Sequence, residues 1–350
     1  MQVSFWLSLA ALVHSTAWGG PPELDAALDA VAPGTKKWAT VCMVESQADG
    51  ALQFQWVDYA DSGRATDFWP ASAIKVYPVV AALELLNELG FPLDTTVTFE
   101  RRDGADGDWV LDCARSVREM MSEVFRRSSN EDYTLLLRMV GIDRINTRFL
   151  IPARGFPTSA LMRGYVLERP YRYTREEPQR ITLRSAGGRE TIFEHTWSGR
   201  FYAAERGCTV IDARTGNVTS ARELAECLRR VLFAKELPEG ERYRLSEEQL
   251  DFLKYGGRGL TGLETRAKSS GPAAWENGFG AVFPQARFFH KNGVISNFAL
   301  EAAYVDDSAR SGKRFIAVPV IAAGEATRPE RGEKLIGEMA RAIGEWVKKQ

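Results

Sequence analysis

The stretch Phe68-Trp69-Pro70-Ala71-Ser72-Ala73-Ile74-Lys75, running on into Val76-Tyr77-Pro78-Val79-Val80-Ala81-Ala82-Leu83, constrains the fold more than any other. Its second half carries no charged side chain, so a helix built from it has no solvent face and must be surrounded by other elements. Pro70 and Ser72 mark the start of that helix. Ser72 and Lys75 stand three residues apart, on one helical face, with Cβ atoms about 5–6 Å apart. A serine hydroxyl becomes a useful nucleophile when a neighbouring base takes its proton. A lysine can be that base when burial or a second cation disfavours its ammonium form. The positive end of the helix dipole favours negative charge on the serine oxygen. A capping serine followed by a lysine whose stem lies along a core helix has the same appearance, so the pair acquires chemical meaning only from its company.

That company follows in order. Arg127-Ser128-Ser129-Asn130-Glu131-Asp132-Tyr133 precedes Leu135-Leu136-Leu137, which puts Ser128 and Asn130 at a second helix start. Far downstream, His290-Lys291-Asn292-Gly293 opens an alternating segment through Val305 that reads as a strand. S-x-x-K, S-D-N and K-T-G, in that order, are the signature of class A β-lactamases and penicillin-binding proteins. The chain resembles this superfamily of serine acyl enzymes most closely over Phe68–Lys75, Ser128–Leu137 and Lys291–Gly293, and more loosely from about residue 24 onward. It departs from the pattern at Ser129, where the family has aspartate, and at Asn292, where it has threonine or serine. Both can still donate and accept hydrogen bonds.

The resemblance implies an α/β (α+β) fold: an antiparallel five-stranded sheet flanked by helices, plus a mostly helical lobe, with the active site in the seam between them. Residues 20–66 and 215–350 would form the sheet lobe, and 67–214 the other. The sequence supplies the expected parts. Pro22–Val31 reads as a short helix, with Leu24, Leu28 and Val31 on one face. Trp38–Glu45 and Leu52–Tyr59 read as strands around Asp49-Gly50. Lys291–Val305 and Lys313–Ala322 supply C-terminal strands, and Glu330–Lys349 an amphipathic helix with Leu335, Ile336, Met339, Ile343 and Val347 on one side. Between the lobes, about 169–214 is a hairpin-rich insertion, with strands Ile181–Leu183 and Thr191–Phe193 around Gly187-Gly188. It occupies the place where family members carry a short loop with the glutamate that activates the deacylating water. Glu168 is nearest in register, with Glu176, Glu177 and Glu205 as rivals.

At the N-terminus, the apolar core Phe5–Val13 and the small residues Ser15-Thr16-Ala17 fit an export signal ending by residue 19, although no Lys or Arg precedes the core. The run is far short of the roughly 20 residues that span a bilayer. A periplasmic or secreted monomer is expected, with no membrane contact beyond the signal. Hydrophobic residues make up 45% of the chain, charged residues 26%, and the formal net charge is -1, which makes no electrostatic case for nucleic acid. Cys42, Cys113, Cys208 and Cys227 include no C-x-x-C pair and allow three disulfide connectivities, among which sequence does not choose; Cys42 lies in an apolar strand and reads as a buried thiol.

Other motifs compete poorly. Lys254-Tyr255-Gly256 also reads K-x-G, but it ends a helical stretch, where lysine followed by glycine is a normal C-terminus. Gly257–Gly262 spells G-x-G-x-x-G after a helix rather than a strand, which argues against a dinucleotide site. The chain has no G-x-S-x-G or H-E-x-x-H, so a histidine triad or zinc hydrolase has little support. Asn217-Val218-Thr219 is a glycosylation sequon by pattern alone.

What the family then implies is acyl transfer through a covalent serine intermediate, with no metal or organic cofactor. Ser72 is the nucleophile and Lys75 its base; Ser128 passes a proton to the leaving nitrogen. Asn130 binds the substrate amide, and Lys291, Asn292 and Gly293 form the substrate-binding strand. The N–H groups of Ser72 and Val294 hold the oxyanion. Three functions fit: a serine hydrolase of the class A β-lactamase type that opens β-lactam amides; a penicillin-binding D,D-peptidase, transpeptidase or esterase that takes cell-wall-type peptides and deacylates slowly; and a penicillin-binding sensor without turnover.

Overall fold

Apolar runs buried on both faces build the principal sheet. After a helix at Pro22–Ala30 (α1), Lys37–Ser46 (β1) and Leu52–Tyr59 (β2) form an antiparallel hairpin. Near the C-terminus, Arg287–Ile295 (β7), Phe298–Asp307 (β8) and Lys313–Ala322 (β9) complete a five-stranded antiparallel sheet in the order β2-β1-β9-β8-β7. The computed structural model describes residues 20–350 except 65–67, 103, 105–106, 208–213, 265–273, 296 and 324–328. The expected export signal, residues 1–19, and Cys208 therefore lie outside the described residues. Among those described, Cys42, Cys113 and Cys227 are free thiols, and no helix is long and apolar enough to cross a membrane.

One expectation needs correction. Lys291–Val305 is not one strand but parts of two, because the chain reverses between Ile295 and Phe298, which pair with each other. Apolar alternation runs on in the returning strand, so the periodicity hides the reversal.

One face of the sheet, with Val41, Phe288, Ala299, Ala303, Val305 and Phe315, packs under α1 and the C-terminal helix Pro329–Lys349. The other face, with Cys42, Phe289, Leu300, Ile316 and Val318, joins the core that surrounds the central helix. That helix begins as a 3₁₀ turn, Ala71–Lys75, and continues as an α-helix over Val76–Leu89 (α2), with every residue from Val76 to Leu83 buried. Pro78 gives a reason for the tight first turn: it has no N–H to donate to Ile74, and its ring crowds that carbonyl. Gly90, at φ 69°, ends the helix.

The second lobe packs Asn130–Val140 (α4) beside α2 and Val117–Arg126 (α3) beside α4, and carries a four-stranded sheet in addition. Its strands are Thr96–Arg102 (β3), Trp109–Ser116 (β4), Gln179–Arg184 (β5) and Glu190–His195 (β6), all antiparallel, in the order β4-β3-β5-β6. The hairpin expected in the insertion is thus docked on β3. The insertion leaves and returns at one point, where the main chains of Ala160 and Val218 exchange hydrogen bonds of 2.8 and 2.9 Å. Asn217 closes this neck: fully buried, its Oδ1 accepts from the N–H of Met162 (2.7 Å) and Arg163 (3.1 Å). A buried side chain with those partners is closed to glycosylation in the folded chain.

Candidate active site

The 3₁₀ turn positions Ser72, the candidate nucleophile. Ser72 is its second residue, so its N–H is among those left without an intrahelical acceptor. Ala71, just before it, holds φ 44°, a left-handed conformation that costs a non-glycine residue roughly 1–2 kcal/mol. Two contacts hold the turn there. Tyr165 Oη donates to Ala71 O at 2.9 Å, and Gly293 of β7 lies so close that a Cβ on it would sit 2.6 Å from Pro70 O and 2.8 Å from Ala73 N. Only glycine allows this approach. β7 is the edge strand of its sheet, and His290 N–H points outward from that edge to Leu263 O, 2.9 Å away. Main-chain groups alternate along a strand, so the N–H groups of Asn292 and Val294 face the same open edge.

Lys75 is fully buried behind this turn. Its Nζ donates to Asn130 Oδ1 at 2.6 Å and to Ser128 O, and lies 3.3 Å from Ser128 Oγ. Burial, and then the charge of Lys291, bring its pKa from the ordinary 10.5 down to about 6, against the pull of Glu131 and Asp132. At pH 7 it is therefore mostly a neutral amine with a free lone pair, the form a general base requires. Lys291 is itself 1% exposed and lowered by burial to about 8, with Glu301 opposing the fall. Its Nζ donates to Asn292 O at 2.9 Å and lies 3.3 Å from Asn292 Oδ1.

The start of α4 accounts for the departure at Ser129. Its Oγ accepts from Asp132 N at 3.1 Å and so caps the helix, a task serine and aspartate share. Ser128, at φ 56°, directs its carbonyl to Lys75, and Asn130 follows with its side-chain oxygen. The structure thus brings Lys75, Ser128 and Asn130 into direct contact, with the charge of Lys291 acting on Lys75 and Gly293 against the turn that bears Ser72.

Glu168 is not brought there. It is exposed, and among the described residues no hydrogen bond or ion pair links it to Ser72 or Lys75. Its rivals point elsewhere: Glu176 pairs with Arg175 (2.9 Å), Glu177 with Arg169 (2.9 Å) and Glu205 with Arg200 (2.6 Å). The group that reaches the turn bearing Ser72 from this segment is Tyr165, three residues earlier. Its ring lies 4.6 Å from that of Tyr133, and Lys75 Nζ is 5.8 Å from each centroid. Burial raises the Tyr165 pKa, so it is a neutral donor rather than a base. Sequence reasoning missed it. Its one signal is Gly164: a Cβ there would lie 2.5 Å from Thr134 Cγ2, the close approach that a loop glycine before an aromatic residue can mark.

A model of the β-lactamase enzyme family matches residues 52–347. The chain belongs to this family. It places the protein in the superfamily of serine β-lactamases and penicillin-binding proteins, as serine hydrolases. Similar solved structures include a β-lactamase from Sphaerobacter thermophilus DSM 20745 (15% identity, 94% of this chain and 97% of that one covered, TM-score 0.55). A β-lactamase from Xanthomonas campestris pv. campestris matches at 16% identity over 93% and 97% of the two chains, with TM-score 0.53. A mutant of PBP-A, solved as an acyl-enzyme complex with penicillin G, matches at 16% identity over 94% and 97%, with TM-score 0.53. A search of curated proteins returns no match. At these identities the neighbours establish the β-lactamase fold.

Proposed function

We propose that this β-lactamase-family protein is a penicillin-binding acyl enzyme that is acylated readily and deacylates slowly. Ser72 Oγ attacks the carbonyl of a β-lactam or a cell-wall-type peptide while its proton passes to neutral Lys75. The N–H groups of Ser72 and Val294 receive the oxyanion, donors each worth about 2.7–4 kcal/mol in the transition state. As the tetrahedral intermediate collapses, the C–N bond breaks and the nitrogen takes a proton through Ser128, which Lys75 replenishes. Asn130 binds the substrate amide, and Lys291 and Asn292 its carboxylate. The residues 1–19 would export the chain to a periplasmic or external site.

The observation that carries this reading is the occupant of the wall beside Ser72: a neutral phenol, Tyr165, while Glu168 is at the surface. The carboxylates that act on Lys75 among the described residues, Glu131 and Asp132, lie within hydrogen-bond reach of Ser129 Oγ. A second reading, efficient β-lactam hydrolysis, is favoured by Lys75 itself, because an amine with pKa about 6 can activate water as well as serine.

Intact-mass spectrometry after mixing with a fluorescent penicillin, beside nitrocefin turnover and the Ser72→Ala variant, tests both. A long-lived adduct absent from the variant, with little turnover, is the expected result. Rapid turnover lost in the variant supports the second reading. Neither adduct nor turnover overturns both.

A further inference from the structure

We infer that Tyr165 is a positioning residue for the oxyanion hole: its hydroxyl, held 2.9 Å from Ala71 O, orients and polarises the peptide whose N–H receives the oxyanion. This rests on Ser72 being the nucleophile. The Ala71 carbonyl and the Ser72 N–H belong to one peptide plane, and in a trans peptide they point in opposite directions. A donor that holds the carbonyl from one side therefore sets the direction of the N–H on the other. Ala71, at φ 44°, does not adopt this orientation by its own preference. Hydrogen bonds in series also strengthen one another, by about 10–30% per bond. The Tyr165 phenol, the Ala71–Ser72 peptide and the substrate oxyanion form such a series.

Tyr165 is itself fixed from two directions. Its N–H donates to Thr134 Oγ1 (3.0 Å), which donates to Asn130 O (2.7 Å), tying it to the helix that holds Lys75. Its ring packs on Tyr133, whose hydroxyl donates to Arg163 O at 2.8 Å, and Asn217 Nδ2 reaches the same carbonyl at 3.1 Å. The closed neck of the insertion is thus linked through a rigid path to the nucleophile turn. On this account the insertion serves catalysis through the two residues after Arg163, at its root.

Tyr165→Phe keeps the ring and removes only the hydroxyl. Stopped-flow acylation by a fluorescent penicillin should slow about tenfold, less than the 10²–10³-fold seen when an oxyanion donor is removed outright. The acid limb near pH 6 should stay in place, because the ring still covers Lys75. In the infrared spectrum of the acyl-enzyme made with carbonyl-labelled penicillin, the ester band should move to higher wavenumber, a change that loss of stability alone does not produce. Tyr173→Phe removes a phenol from another part of the same lobe, where it accepts from Ile142 N at 3.4 Å, and gives the size of a general packing effect. Wild-type rate and band position in Tyr165→Phe, or losses no larger than those in Tyr173→Phe, would overturn the inference while leaving the Ser72 reading intact. If the wild type forms no adduct at all, the Ser72 reading falls and this inference with it.

Discussion

Lys75 is a buried amine that the fold keeps at a thermodynamic cost, and replacing it with methionine should make the protein more stable as it destroys acylation. The unfolded chain holds this proton up to the ordinary 10.5, whereas the folded chain gives it up above about 6. Below pH 6 both states are protonated and the folded state bears the full penalty. Between 6 and 10.5 the unfolded state binds one more proton, so stability rises with pH, and above 10.5 the penalty is gone. At pH 7 the remaining gap of about 3.5 pH units corresponds to roughly 4–5 kcal/mol at 1.36 kcal/mol per unit. Methionine leaves Asn130 Oδ1 and Ser128 O without their donor, which returns about 2 kcal/mol. Lys75→Met should therefore gain roughly 2–3 kcal/mol at pH 7, and the gain should shrink toward zero by about pH 9. Urea unfolding of both proteins at four pH values between 6 and 9.5 measures this directly. A variant no more stable than wild type at pH 7, or a difference that does not decline with pH, would refute the claim that Lys75 is carried as a neutral, desolvated base.

Three further outcomes follow from the same geometry. Lys291→Gln removes the cation that helps depress Lys75, so the acid limb of acylation should rise by roughly 1–2 pH units from about 6, whereas Lys291→Arg should leave it there; the pH profile of the acylation rate decides. Gly293→Ala would put a methyl 2.6 Å from Pro70 O and 2.8 Å from Ala73 N, both main-chain atoms, so the turn must shift and adduct formation should fall by about 10²-fold with an unchanged far-ultraviolet circular dichroism spectrum. Asn217→Ala removes four hydrogen bonds at the neck, to Met162 N, Arg163 N, Arg163 O and Tyr133 Oη, and should cost about 2–4 kcal/mol, read from thermal or urea unfolding.

The parts of the fold that were legible in the sequence are those that bury two sides. Val76–Leu83 is apolar on every face because it runs through the main core, and β1 is buried along most of its length because its sheet is covered on both faces. β3 and β4 were not legible. Their outer face is open to solvent, Leu111 at 61% exposure among it, and Arg101, Arg102 and Asp112 break the apolar pattern. Asp112 is nevertheless almost fully buried, with Arg101, Arg138 and Arg169 around it, so polar residues there build structure through ion pairs that no periodicity reports. The hairpin at Gly187-Gly188 was readable, but its partner strand β3 lies some eighty residues earlier in the chain, and single-sequence patterns carry no information on such pairings.

The same distinction separates the legible half of the site from the rest. Ser72 and Lys75 stand at fixed helical spacing, and Ser128 and Asn130 flank a helix cap, so local geometry alone predicts which of them can meet. A deacylating group has no such constraint, because it comes from a connection whose path depends on where the chain closes. Here it closes at Ala160 and Val218, and Tyr165, just beyond that neck, is the residue that reaches the turn bearing Ser72. Glu168, three residues further on, has already left the wall for solvent. On the acyl-enzyme reading proposed above, chemistry after acylation would be set less by which acidic residues the insertion contains than by how far each lies from its root, and the side chain at the root is a phenol.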